Sequence, residues 1–257
     1  MDNAAMLAYL RSVVLMRERI PSFHEYPFNL PAVSAMDGLQ FHPKVTYIIG
    51  ENGMGKSTLL EAIATALGFN PEGGTMNFSF STEETHSKLH AYIRTVRGVR
   101  KPRDGFFFRA ESYYNVATNI DRLDAEASFG PPIRNSYGGI SLHQQSHGES
   151  FFATFMHRFW GNGLYIMDEP EAALSPLRQM ALLRRIHDLV RDDSQFIIAT
   201  HSPIVMAYPD SIIYKLTSEG LEESSLEETD HYMITKEFVN HREAMLQELF
   251  EDDEELP

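Results

Sequence analysis

Two stretches of this chain hold residues suited to work on a triphosphate. The first is Gly50-Glu51-Asn52-Gly53-Met54-Gly55-Lys56-Ser57, followed by Thr58. It fits the pattern of a glycine, four residues, then Gly-Lys-Ser. The glycines let backbone N–H groups turn inward around phosphate oxygens, and a helix opening there adds partial positive charge. Lys56 is placed to bridge the β- and γ-phosphates and Ser57 to ligate Mg²⁺. The second stretch, "GLYIMDEP", delivers Asp168 and Glu169 at the end of an apolar run. Asp168 suits the hydration shell of Mg²⁺, and Glu169 can polarise an attacking water. Adjacent carboxylates repel one another, so a cation between them and the triphosphate is a physical requirement. A third element is His201 in "FIIATHSP", which stands where it could hydrogen-bond the γ-phosphate and the water, although a lone histidine is more often structural.

The elements that must position these groups are legible from periodicity. "KSTLLEAIATAL" carries Leu59, Leu60, Ile63 and Leu67 at helical spacing, and Gly68 ends it. "GLYIMDEP", "SQFIIATHSP" and "DSIIYKL" read as buried strands, and "SPLRQMALLRRIHDLVRD" as an amphipathic helix capped by Ser175 with Pro176 in its first turn. Apolar strands alternating with helices predict an α/β fold whose mostly parallel central sheet is flanked by helices. Ahead of it, "LRSVVLMR", "YPFNLPAV" and "LQFHPKVTYIIG" predict an antiparallel β-rich part over about 1–50. Residues 69–140 read as loop-rich, with a helix near "EETHSKLHAYIRTV" and a strand at "GFFFRA". "SLHQQSHGESFFATFMHRFW" reads as a turn feeding a helix, and a terminal helix covers about 231–250. The whole, 1–257, is expected to be one domain, with a core over about 51–250 and an acidic tail at 251–257.

The 257 residues include no cysteine, which excludes disulfides, thiolate metal sites and cysteine nucleophiles. No apolar run approaches the length of a membrane span, and Asp2, Arg11 and Arg17 break up the N-terminal stretch, arguing against a secretory signal. A cytoplasmic location is expected. The formal net charge of −14 weighs against a surface that grips nucleic acid all round. One local exception is "RTVRGVRKPR", with Arg94, Arg97, Arg100, Lys101 and Arg103, which is either a solvated loop or hairpin or a patch for DNA or a partner.

Taken in order, "GENGMGKST", "SHGES", "IMDEPEAALSP" and "IIATHSP" resemble the ATPase domain of the ATP-binding-cassette (ABC) superfamily, in particular its soluble bacterial branch of chromosome-maintenance and recombination-repair ATPases. The resemblance implies a P-loop NTPase that binds ATP and Mg²⁺ and pairs head to tail with a second copy. Lys56, Glu169 and His201 would then be catalytic, and residues 50–58 would hold the nucleotide. Ser146 and Gly148, within Gln145-Ser146-His147-Gly148-Glu149, would hydrogen-bond the γ-phosphate held by the opposite protomer. His147 and Glu149 depart from the usual signature, and Ser175 stands where the loop after Asp168 and Glu169 usually ends in Asp. The family's metal-sensing glutamine corresponds to Glu111, which could reach the metal with Ser57 and Asp168, or simply occupy a surface turn. Phe23, His24, Tyr26 and Phe28 are all candidates for stacking on adenine. Too few residues separate Lys56 from Ser146 for coiled-coil arms, so an effector or DNA partner is expected on another chain, in DNA maintenance or defence against foreign DNA. The alternatives are a transporter's nucleotide-binding subunit and a sensor that binds ATP without hydrolysing it.

Overall fold

The pleat of four buried strands sets out the architecture. The structure is a computed structural model and describes residues 8–76, 87–126 and 130–251. The central sheet contains β3 (Val45–Ile49), β5 (Asp104–Arg109), β6 (Gly163–Asp168), β7 (Gln195–Ala199), β8 (Ser211–Thr217) and β9 (Gly220–Ser224), ordered β5-β6-β7-β3-β8-β9. All pairings are parallel except β8 with β9. Successive side chains point to opposite faces of a strand, and the core divides accordingly. Ile48, Phe107, Leu164, Ile166, Ile197 and Ala199 pack on one side. Tyr47, Phe106, Phe108, Tyr165, Met167, Phe196 and Ile198 pack on the other.

The first face is covered by α2 (Lys56–Leu67), which ends at Gly68 in a left-handed conformation, φ 99°. Beyond it lies a small antiparallel sheet of β1 (Leu10–Leu15), β2 (Gly38–Gln40) and β4 (Ile93–Arg97), ordered β2-β1-β4. Buried Gln195 stitches this sheet to the central one. Its Oε1 accepts from the N–H groups of Tyr9 and Leu10 at 3.0 and 2.9 Å, and its Nε2 donates to the carbonyls of Leu10 and His42 at 2.8 and 3.0 Å. The second face packs against α3 (Tyr113–Ala125), α4 (His147–Ala153) and α5 (Pro176–Arg191). The chain finishes in α6 (Asp230–Asn240) and α7 (Arg242–Glu251).

The expected α/β fold with its parallel sheet and antiparallel part is present, with differences in detail. "YPFNLPAV" is not a strand: it forms turns and the short helix α1 (Pro31–Ser34), with Pro31 setting the first turn. Of the helix expected at "EETHSKLHAYIRTV", residues 83–86 lie outside the described residues. The rest is a 3-10 turn over Lys88–Tyr92 followed by β4, because pairing with β1 overrides helical propensity. β4 also completes the antiparallel sheet from beyond residue 50, and β3 leaves that part to join the central sheet. Ser175 stands at the N-cap of α5 but its side chain makes no capping bond. The terminal helix is two helices, and α3 and β9 were not anticipated. Residues 252–257 of the acidic tail lie outside the described residues.

Candidate functional site

The loop between β3 and α2 is built to approach an anion closely. Gly50, Gly53 and Gly55 have φ of 147°, 82° and 98°, a region that disfavours side chains. A Cβ on Gly50 would lie 2.8 Å from Leu216 Cβ. Lys56 is 4% exposed, and its ammonium donates to the carbonyls of Gly50 and Glu51 at 2.7 and 2.9 Å, holding it across the loop. Burial lowers its pKa, against the opposing pull of Glu169, Asp168 and Glu171. Asn52, Gly53, Gly55, Lys56, Ser57 and Thr58 line a cleft of about 280 Å³ together with Tyr26, Leu30 and Glu169. Gly50, Glu51 and Met54 instead border a second cavity on the side of α6. Among the four aromatic candidates, Tyr26 lines the cleft and is 64% exposed. Phe28 is buried edge-on against Tyr92, and Phe23 lies under the Arg17 guanidinium.

The pleat places Asp168 on the α2 face, where its Oδ1 accepts from Ser57 Oγ at 3.2 Å. Burial pushes its pKa up to about 6, opposed by that hydrogen bond and by the charge of Arg109. A buried, protonation-prone carboxylate beside a hydroxyl gains from a hard cation. The pair fits Mg²⁺, which takes one or two carboxylate ligands and fills the rest of its shell with phosphate and water. Among the described residues, no group of three or more His, Cys, Asp or Glu side chains could hold a metal unaided.

Glu111 does not join this pair. Its side chain is 81% exposed and bonded to Arg109 Nη2 at 3.1 Å. The residue beside Asp168 is Arg109, registered opposite it on β5, with Nε 3.9 Å from Asp168 Oδ2 and Nη1 2.8 Å from Glu61 Oε2. A guanidinium draws the Glu111 carboxylate more strongly than a site already carrying Asp168. Arg109 was not anticipated, because its role depends on strand register rather than on local pattern.

Glu169 sits at φ 51°, unusual for a residue with a side chain, held by its N–H donating to the Ala199 carbonyl at 2.9 Å. Its Oε1 is 3.7 Å from His201 Nε2, too far for a hydrogen bond. The contact is not an ion pair either, since burial and then Lys56 keep the His201 pKa below the ordinary imidazole value. The His201 backbone is fixed by Glu171 Oε1, which accepts its N–H at 2.7 Å. Its ring Nδ1 meets His231 Nε2, on α6, at 2.9 Å. Neither Glu171 nor His231 was anticipated. Glu171 was readable as a third carboxylate in "DEPE", whereas nothing local marks His231.

Ser146 is exposed at the start of α4 and does not line the cleft of its own chain. Its N–H and Oγ both donate to Glu149 Oε2, at 3.0 and 2.6 Å. Gly148 is buried, and a Cβ there would lie 2.4 Å from the Ala173 carbonyl. The glycine therefore has a packing reason, close approach to the loop after Glu169. The basic run does not form a hairpin, since β4 and β5 belong to different sheets. Arg94, Arg97, Lys101 and Arg103 are exposed, while Arg100 is bonded to Asp193 at 3.1 Å.

Comparison with known proteins gives this arrangement its class. Residues 35–136 match a family model described as "AAA domain", and residues 133–207 one described as "AAA domain, putative AbiEii toxin, Type IV TA system". In this the chain is similar to ABC-type P-loop ATPase domains. It is 28% identical over 197 residues to a protein of Agrobacterium fabrum named for ATP binding in ribose, galactose and methyl galactoside import, covering 67% of this chain and 36% of that one. It is also 28% identical over 167 residues to the hemin import ATP-binding protein HmuV of Rhodopseudomonas palustris, covering 60% of this chain and 63% of that one. The match therefore spans less than two thirds of either relative. Among solved structures, the SMC head domain from Thermotoga maritima aligns with TM-score 0.43 and 17% identity, over 84% of this chain and 99% of that one. Among the described residues, no helix is long and apolar enough to cross a membrane.

Proposed function

We propose that two copies of this chain pair head to tail around two nucleotides, hydrolyse ATP with Mg²⁺, and act as a nucleotide-driven switch for a separate effector chain. One observation carries the reading. Lys56, Ser57 and Glu169 line one cleft, while Ser146 is exposed and is not among the residues that line it. A phosphate in the cleft thus meets one set of donors, and the second set belongs on an opposing surface. Tyr26 offers a face for the base, and Lys56 and the loop N–H groups hold the β- and γ-phosphates. Mg²⁺, held by Ser57 Oγ and Asp168, would supply charge neutralisation on the phosphates. Glu169 takes a proton from water as the water oxygen bonds to the γ-phosphorus and the bond to the β–γ bridging oxygen breaks. His201 Nε2 donates to the developing charge.

Ser146 has a single hydroxyl proton, now given to Glu149. To donate to a partner's γ-phosphate it must turn that proton away, so nucleotide and Glu149 compete for it. The exposed Arg94, Arg97, Lys101 and Arg103 are the candidate contact with DNA. The setting we favour is DNA maintenance or defence against foreign DNA, supported by the toxin–antitoxin wording of one matched family model. A second reading, the nucleotide-binding subunit of a transporter, is favoured by the import proteins among the relatives.

The test is Glu169→Gln with ATP and Mg²⁺, followed by light scattering. The expected result is a trapped dimer. A monomer at saturating ATP refutes head-to-tail pairing. Mixing inactive Lys56→Ala and Ser146→Arg chains should restore about one working site per heterodimer, and no recovery would mean Ser146 does not act across the interface. Co-purification with an integral membrane protein would favour the transporter reading.

A further inference from the structure

The contact between His201 and His231 joins the site to an element that the hydrolysis scheme does not use. Two neutral imidazoles sharing an N···N contact of 2.9 Å must divide the roles: one nitrogen carries the proton and the other accepts it. Burial lowers the pKa of both rings, with Lys56 the next contributor to each, so neutral forms are the relevant ones near pH 7. Two tautomeric arrangements remain. If His201 Nδ1 donated, its Nε2 would present a lone pair to Glu169 Oε1 at 3.7 Å and to any phosphate in the cleft. That nitrogen is buried and has no hydrogen-bond partner, so a lone pair facing anions would be doubly unfavourable. If His231 Nε2–H donates instead, His201 Nδ1 accepts and Nε2 carries a proton aimed at Glu169 and the phosphates.

We propose that His231 is a positioning residue for ATP hydrolysis, fixing His201 in the tautomer whose Nε2–H points at the γ-phosphate. This rests on the role of His201 given above. The seat of His231 is well defined. Thr229, fully buried, caps α6 by accepting from Tyr232 N–H, and Asp230 pairs with Lys215 of β8 at 2.8 Å. The rest of α6 is held less firmly, with Ile234 and Val239 mostly exposed. A cavity of about 600 Å³ separates Ile234 and Thr235 from Gly50, Glu51 and Met54 of the phosphate loop. Whatever shifts α6 therefore moves the donor that sets the His201 proton.

The experiment compares His231→Gln, whose amide can still donate, with His231→Leu, which cannot. ATP turnover, binding of a fluorescent ATP analogue and the ring ¹⁵N signals of His201 are read for each. His231→Leu should lower kcat about tenfold or more with affinity changed less than about twofold, as expected for a group acting in the transition state. Its His201 should lose the Nε2–H preference, and His231→Gln should recover most of both. Turnover of the Leu variant within about twofold of the parent, or equal losses in both variants with the His201 signals unmoved, overturns the proposal. His201→Ala separates the two levels. If that variant keeps full turnover, the role of His201 fails and takes the His231 proposal with it. If it is inactive while His231→Leu is not, only the proposal fails.

Discussion

Asp168→Asn should make the nucleotide-free protein more stable, fully above about pH 6 and less and less as the pH falls towards about 4. Asp168 has an ordinary carboxylate value of 3.8 and is held at about 6 in the fold, chiefly by burial. Between those values the folded state binds the proton and the unfolded state does not, so stability falls as pH rises through the window. Above about 6 the whole cost is present, and the gap corresponds to about 3 kcal/mol. Asparagine keeps the shape and can still accept from Ser57 Oγ. It gives up attraction to Arg109, whose other partners, Glu61 and Glu111, remain at 2.8 and 3.1 Å. A net gain of about 2 kcal/mol at pH 8 is expected, shrinking towards zero near pH 4, where the parent carboxyl is itself protonated. For a chain of this size that is about 4–8 °C in Tm. Urea unfolding in chelator at pH 5 and pH 8 measures it. A variant less stable than the parent at pH 8, or a pH-independent difference, would refute the view that Asp168 is a destabilised ion awaiting a cation.

Tyr26→Ala should weaken binding of a fluorescent ATP analogue by about fivefold or more, the loss of about 1 kcal/mol or more of base stacking, while Tyr26→Phe should be near-neutral. Equal binding by all three would move the base elsewhere. Gly148→Ala should destabilise the protein by about 1–3 kcal/mol through collision with the Ala173 carbonyl, seen in chemical denaturation without nucleotide. An unchanged unfolding midpoint would show that the two loops are not held together.

What could be read ahead of the structure followed the range of the interactions involved. The phosphate loop, α2 and its Gly68 stop, and the carboxylates after β6 are written in contiguous residues, and their geometry follows from backbone rules within a few positions. α3 was readable too: Tyr113, Val116, Ala117 and Ile120 recur at helical spacing and are buried, but the polar residues between them masked the stripe. β9, "GLEES", carries one apolar residue and forms only because β8 offers it an edge. Arg109, Tyr26 and His231 reach the site through register and tertiary packing, over separations no local pattern encodes. The place of Glu111 was not legible for the same reason, since its carboxylate meets Arg109, two residues away, which is itself registered on β6.

The amide of Gln195 has a mechanical consequence. Four hydrogen bonds from one buried side chain tie the start of β1 and the turn before β3 to β7, joining the antiparallel sheet to the sheet whose β3 leads into the phosphate loop. On the proposed reading, base and phosphates would then be held by parts of the molecule that these bonds tie together. On that same reading, closure on ATP would come from the second copy swinging onto the first.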